Sequence, residues 1–270
     1  EPGEVVFTSG ATEANNLALL GAARAARGRG SHVITSSVEH RAVLDPCRRL
    51  EAEGFEVTRL APDATGRVAP EAVEAALTPR TVLVSVMAAN NEVGTLNPVA
   101  EVAALCLARE IAFHTDAAQA FGKVLLDVRG GVALASLSAH KLHGPKGVGA
   151  LYVRSRPRVP LEPILFGGGH ERGLRSGTAN VPGIVGLGTA CEIAERILAE
   201  ESIREEALRD ELWALLTAGV PGLRLNGHPT ERLPNTLNVS FPGTLGRSVL
   251  EKAWEVAAST GSACHEGVDT

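Results

Sequence analysis

The sequence lacks most features of membrane, secreted and nucleic-acid-binding proteins. Its 270 residues carry a net charge of −5 without a basic run, which argues against contacts with nucleic acid or a membrane surface. The longest apolar stretches have the length of strands, so no membrane span is expected. The N-terminal residues do not form a signal-peptide pattern, and the four cysteines include no C-x-x-C pair. We therefore expect a cytoplasmic protein without a disulfide scaffold.

Metal-binding spacing is also missing, and lysine is scarce. No two of the eight histidines and four cysteines have the spacing of a structural zinc site, so we expect no metal. The chain has only four lysines against 22 arginines, yet Lys141 and Lys146 both lie in the segment SAHKLHGPKGVG. Lysine, unlike arginine, can lose its proton and form a Schiff base. Taken alone, this segment is more typical of a solvated turn.

Short apolar runs alternate with helix-patterned segments over the first 153 residues. The runs predict strands over 5–8, 32–36, 55–60, 81–87, 111–115, 134–138 and 148–153. Helices are predicted over 11–26, from 37 or 39 to 53, and over 70–77 and 99–110. This alternation predicts an α/β fold, a mostly parallel sheet with helices on both faces.

The pattern changes after the segment FGGG at 166–169. A long helix is predicted over 184–216, followed by strands over 223–225 and 236–241 and a helix over 245–256. We expect a large cofactor-binding domain at 1–180. Residues 181–270 are expected to form a long connecting helix and part of a smaller α/β domain. Both ends of the chain look truncated.

Three weak signals together indicate one cofactor. The segment SGATE at 9–13 follows a strand and opens a helix, so its backbone N–H groups and the Thr12 hydroxyl can hold a phosphate. Helix capping by Ser9 or Thr12 is the simpler explanation of that segment alone. Asp116 ends another strand, where open α/β sheets bind ligands. A phosphate site, a strand-end carboxylate and a strand-end lysine are the anchors of pyridoxal phosphate.

Three more residues are candidates for chemistry. His40 follows a strand, where it can stack on a flat cofactor and move protons, or simply pack or cap a helix. Asn91, in the segment NNEVG, can face the same crevice or form a turn. Cys264 lies among small residues in STGSAC, which predicts an accessible loop. Its thiol needs a neighbour to ionise it near neutral pH.

Eight segments match one enzyme family in their order and spacing. They are SGATEANN, SSVEH, NNEVG, HTDAAQ, SAHKLHGPKG, FGGGHERGLRSGT, LPNTLNVSF and STGSAC. The chain thereby resembles the cysteine desulfurases of the class-V aminotransferase group over essentially its whole length. The S-G-S-A-C form of the cysteine loop resembles the longer-loop branch that serves iron–sulfur cluster assembly. Selenocysteine lyase is a close relative, and a non-catalytic fragment that docks assembly partners is an alternative from a different class.

The resemblance implies a homodimer of fold type I that uses pyridoxal phosphate to convert L-cysteine to L-alanine. It implies that Lys141 forms the Schiff base, that Asp116 pairs with the pyridine nitrogen and that Gln119 contacts the ring hydroxyl. His40 stacks on the ring and is a candidate acid or base. The other implied cofactor-binding residues are Ala11, Thr12, Ser138, His140 and, from the second subunit, Thr178.

The resemblance also implies how substrate and sulfur are handled. Asn91 lies beside the substrate, and Cys264 takes the sulfur as a persulfide and passes it to a sulfur-acceptor or iron–sulfur scaffold protein. Members of the family usually begin earlier and continue beyond the cysteine loop, into a segment with an arginine that clamps the substrate carboxylate. We expect that arginine to be missing from these 270 residues.

Overall fold

The computed structural model describes residues 1–261, and its centre is a seven-stranded β-sheet. The strands in chain order are β1 (Val5–Thr8), β2 (His32–Ser36), β3 (Glu56–Leu60), β4 (Thr81–Ser85), β5 (Ala112–Asp116), β6 (Leu134–Ser138) and β7 (Gly149–Val153). Each corresponds to a predicted strand. Their ends differ from the predicted ends by at most two residues.

The order of the strands brings their carboxyl ends to one edge of the sheet. The order is β1-β7-β6-β5-β4-β2-β3, and β7 is antiparallel to both of its neighbours, while all other pairs are parallel. Because β7 runs against both β1 and β6, those two strands run in the same direction as the rest. The carboxyl edge of the sheet therefore carries the last residues of six strands, namely Thr8, Ser36, Leu60, Ser85, Asp116 and Ser138.

Helices cover both faces of the sheet, as predicted. Helices α1 (Ala11–Ala25) and α2 (Arg41–Ala52) pack on one face, and α3 (Pro70–Ala76) and α4 (Val99–Ala108) pack on the other. Successive side chains of β2 point to opposite faces of the sheet. Val33 packs with α1 and α2, whereas Ile34 packs with α3 and α4. Strands buried on both faces explain why their sequences are nearly continuous apolar runs.

Helix α2 begins later than predicted, at Arg41 instead of 37 or 39. The reason is that Glu39 does not lie in a first helical turn. Its Oε1 accepts hydrogen bonds from Ser36 Oγ at 2.9 Å and from the Met87 amide at 2.8 Å, which ties the β2–α2 connection to the end of β4. His40 is then the N-cap, and its Nδ1 accepts a hydrogen bond from the Ala42 amide at 3.0 Å.

The chain continues into a long helix and a small second sheet. Helix α5 (Val181–Gly219) is followed by β8 (Arg224–Asn226), β9 (Asn238–Ser240) and α6 (Gly246–Lys252), with β8 antiparallel to β9. Buried Arg209 of α5 donates to the Leu233 carbonyl at 3.1 Å, which fixes the segment between the two strands. The division into domains at 1–180 and 181–270 stays a prediction. Within the described residues, no helix combines the length and apolar character needed to cross a bilayer.

Candidate active site

Asp116 is the buried carboxylate at the centre of the carboxyl edge. Its Oδ2 accepts a hydrogen bond from Asn15 Nδ2 at 2.7 Å, and its Oδ1 accepts one from the Ala118 amide at 2.9 Å. Burial raises the pKa of Asp116, while these two donors and the nearby charges of His40 and Lys141 act to lower that pKa. His40 and Lys141 therefore each lie within electrostatic reach of Asp116.

A set of donors suited to an anion lies beside Asp116, where α1 begins. Gly10 is the N-cap of α1, and no side chain caps the helix, so the interpretation of Ser9 or Thr12 as a capping residue is wrong. The first N–H groups of a helix have no acceptor within it. Ser138 Oγ lies 3.6 Å from the point where a Cβ on Gly10 would stand, and it shares a 2.8 Å hydrogen bond with His140 Nδ1. We call this group of residues, 10–13 with Ser138 and His140, the anion cradle.

The anion cradle depends on a close approach of two backbone segments. A Cβ on Gly149, the first residue of β7, would lie 2.5 Å from the Leu137 carbonyl oxygen and 2.7 Å from Gly10 Cα. Both contacts are with backbone, which cannot turn away as the end of a side chain can. Glycine at 149 therefore lets β7 pair with β6 while the Gly10 turn lies against the pair.

Gly149→Ala is expected to destabilise the protein by about 1–3 kcal/mol, because the added methyl group forces backbone apart at a packed site. Urea unfolding of the purified protein measures the change in the free energy of unfolding. Gly130→Ala is the matched control, since a Cβ there meets nothing within 4 Å, and its effect is expected to stay within about 0.5 kcal/mol. Equal stability of the two variants would contradict the close approach.

Glu39 is a second buried acid near Asp116. Burial, together with the charge of Asp116, raises the pKa of Glu39 to about 8, although the Met87 amide and Ser36 Oγ oppose this shift. Its second oxygen, Oε2, has no hydrogen-bond partner. Such a pKa favours the protonated form of Glu39 at neutral pH, the form that adds no negative charge next to Asp116.

The two cationic candidates approach the site from different elements. Lys141 follows β6 in the 3₁₀ helix Ala139–Leu142, and its side chain is exposed. His40, at the start of α2, lines a groove of about 420 Å³ between α1 and α2 together with Thr12 and two arginines, Arg41 and Arg49. The structure thus brings most of the sequence-predicted residues to the carboxyl edge.

Comparison with known proteins identifies the family. The sequence model of the class-V aminotransferases matches residues 1–269. The chain belongs to the class-V aminotransferase family. Among its curated relatives, it is 52% identical over 265 residues to the cysteine desulfurase IscS of Pseudomonas aeruginosa strain UCBPP-PA14. The match covers 98% of this chain and 65% of that protein, so the chain spans about 65% of the length of such relatives.

Two solved structures have the same fold. DndA from Streptomyces lividans is 45% identical, with a TM-score of 0.88 over 94% of this chain and 72% of its own. SspA, solved in complex with cysteine, is 40% identical, with a TM-score of 0.80 over 98% of this chain and 74% of its own. Together with the observed sheet, they confirm the predicted fold and the predicted family.

Class-V aminotransferases depend on pyridoxal phosphate, and the residues at the carboxyl edge fit that cofactor. The anion cradle offers N–H groups, a hydroxyl and an imidazole for a phosphate. Asp116 offers a carboxylate, fixed by two donors, for the pyridine nitrogen. Lys141 offers an exposed amine. These groups match the phosphate, the pyridine nitrogen and the aldehyde of the cofactor.

The predicted roles of all the site residues, including those of the remaining four, stay predictions. Gln119 is half-buried in the turn after Asp116, whereas Thr178 is exposed in the segment before α5. Asn91 is partly exposed; its neighbour Asn90 accepts from the amides of residues 92 and 93, which confirms that this segment forms a turn. Cys264 lies outside the described residues.

Sequence reasoning missed three polar residues that complete the site. Asn15 lies three positions after Thr12, one turn further along α1, and holds Asp116. Glu39 directly precedes His40 and ties its turn to β4. Lys123 lies four residues after Gln119 and binds its side chain. In each case the available signal was a polar residue a short distance from a residue already singled out.

Proposed function

We propose that this chain is the pyridoxal-phosphate-binding part of a cysteine desulfurase, which converts L-cysteine to L-alanine and carries the sulfur as a persulfide on Cys264. The observation that carries the proposal is the convergence of Asp116, Lys141 and the anion cradle at the carboxyl edge. The identity to the cysteine desulfurase IscS and the likeness to SspA, a protein solved with cysteine, support this substrate.

The residues of this chain have separable tasks in the proposed reaction. When bound, pyridoxal phosphate stabilises negative charge that develops on the substrate carbon. Asp116 keeps the pyridine nitrogen protonated, Lys141 receives the α-proton, and Asn91 lies by the substrate. His40 stacks on the ring and serves as an acid or base. The anion cradle holds the phosphate, and Thr178 of a second copy reaches the same group.

Sulfur transfer is the task of the cysteine. The Cys264 thiolate attacks the substrate sulfur, so that a sulfur–sulfur bond forms as the carbon–sulfur bond breaks. The electron pair of the broken bond stays on the substrate carbon, which takes up a proton and becomes the methyl group of alanine. The balance is one L-cysteine and one Cys264 thiol giving one L-alanine and one Cys264 persulfide.

The proposal extends to the assembly and the partner. A homodimer is required if Thr178 acts on the cofactor of the opposite subunit. The persulfide leaves by transfer to a sulfur-acceptor or iron–sulfur scaffold protein in the cytoplasm.

The test is a balance of products. The purified protein, loaded with pyridoxal phosphate and supplied with L-cysteine and a reducing thiol, is expected to release alanine and sulfide in equal amounts. Amino-acid analysis and a sulfide assay measure the two products. Failure to bind the cofactor would contradict the proposal, and so would turnover of selenocysteine without turnover of cysteine.

A further inference from the structure

The turn that follows Asp116 ends in a lysine that contacts a candidate cofactor-binding side chain. Lys123 Nζ donates a hydrogen bond to Gln119 Oε1, and 3.1 Å separates the two atoms. Lys123 is half-buried, in a chain with only four lysines. Partial burial of an ammonium group costs free energy unless partners compensate for the lost water. Its position therefore indicates a specific contact.

This contact determines which way the Gln119 amide faces. An ammonium group carries only donors, so it binds the amide oxygen and never the amide nitrogen. With Oε1 held by Lys123, the Nε2 group points away from that lysine and keeps its two N–H donors for another acceptor. Without Lys123, the two orientations of the amide would be closer in energy.

The surrounding backbone keeps this turn in place. The Lys123 carbonyl accepts a hydrogen bond from Ser202 Oγ of α5 at 2.8 Å, and the Lys123 amide donates to the Ala120 carbonyl at 3.0 Å. Gly122 has a φ of 75°, and the Leu142 side chain fills the space where a side chain on Gly122 would lie. The turn thus packs directly against the short helix that contains Lys141.

Electrostatics places Lys123 near Lys141 as well. Burial is the main cause that lowers the pKa of Lys123, the charge of Lys141 adds to that effect, and Glu205 opposes it. Two amines that influence each other in this way lie in one local field. Lys123 therefore belongs to the surroundings of the proposed cofactor lysine.

We propose that Lys123 is a positioning residue, which holds the Gln119 amide so that its N–H group faces the ring hydroxyl of bound pyridoxal phosphate. This inference rests on the proposed function, in which Gln119 contacts that hydroxyl. Lys123 itself acts only through Gln119, so removal of Lys123 should cost nothing further once Gln119 has been removed.

A double-mutant cycle tests this dependence. The dissociation constant of pyridoxal phosphate is measured by absorbance titration for the wild type, Lys123→Met, Gln119→Ala and the double variant. Each single variant is expected to raise the dissociation constant about tenfold, the loss of one hydrogen bond. The double variant is expected to match Gln119→Ala within about twofold, since coupled residues are not additive. Lys252→Met, on exposed α6, is the control.

Rescue separates positioning from a loss of structure. Lys123→Arg keeps a cationic donor and is expected to bind the cofactor within about threefold of the wild type. Additive single effects, or a Lys123→Met variant that binds like the wild type, would overturn the inference while leaving the proposed function intact. A wild type that does not bind pyridoxal phosphate would overturn both. If Lys123→Met does not fold, a Lys123→Arg variant as weak as Gln119→Ala overturns the inference.

Discussion

Lys141→Ala is expected to abolish covalent attachment of pyridoxal phosphate and to slow alanine formation from L-cysteine by about 10³-fold, within the range for loss of a general acid–base group. The structure gives the reason: Lys141 is an exposed amine that directly follows His140 of the anion cradle and whose charge acts on Asp116. A second amine near Lys141, that of Lys123, is engaged by Gln119. Borohydride reduction followed by mass analysis of peptides measures the attachment, and product assays measure the rate.

The control for this prediction is Lys146→Ala, five residues further along the same segment. Neither side chain is buried, so both substitutions are expected to change the free energy of unfolding by less than about 0.5 kcal/mol. The comparison then isolates chemistry from stability. Covalent attachment in Lys141→Ala at the wild-type level would contradict the assignment, and so would an equal loss of attachment in Lys146→Ala.

Local patterns were sufficient to predict the sheet and the position of Asp116. A parallel strand that helices cover on both faces has a short, nearly continuous apolar sequence. Such sequences can be recognised because apolar residues recur with a different spacing, every three to four residues, in the helices between them. The last residue of each parallel strand then lies at the carboxyl edge, whatever the order of the strands; antiparallel β7 is the exception. Asp116 and Lys141 could therefore be expected to converge before the strand order was known.

The contacts that complete the site could not be predicted because they join distant parts of the chain. Asn15 and Asp116 are 101 residues apart, and Glu39 and Met87 are 48 apart. In sequence, an asparagine near a helix start or a glutamate before a helix is typical of capping. Only the order of the strands brings each to its partner. Lys123 was missed for another reason, since its contact lies within a turn that carries no periodic pattern.

The cysteines within the described residues are poorly suited to carry sulfur in the proposed reaction. The chain has four cysteines, and the three within the described residues are poor nucleophiles. Cys47 and Cys106 are fully buried, and burial raises the pKa of each to about 12. Cys191 is partly buried, and burial raises its pKa too. Because the thiolate is the reactive form, none of these three suits an attack on substrate sulfur, which agrees with the proposal that Cys264 carries the sulfur.

Cys264→Ser is accordingly expected to reduce sulfide release from L-cysteine by more than about a thousandfold, the scale of losing a catalytic nucleophile. A serine hydroxyl cannot form a persulfide. Cofactor binding is expected to stay unchanged, because the anion cradle, Asp116 and Lys141 all lie elsewhere in the chain. A sulfide assay measures the rate, and mass spectrometry of the protein after incubation with L-cysteine measures the added sulfur atom.

The matched control is Cys191→Ser, which removes a thiol whose pKa burial raises, and its rate is expected to stay within about threefold of the wild type. Full sulfide release by Cys264→Ser would contradict the persulfide mechanism. Loss in both variants would mean that Cys191 takes part. Loss confined to Cys264→Ser, with the added sulfur atom found only in proteins that retain Cys264, would require a nucleophile at that position. A scaffold without catalytic activity would not be affected when the sulfur atom of Cys264 is replaced by oxygen.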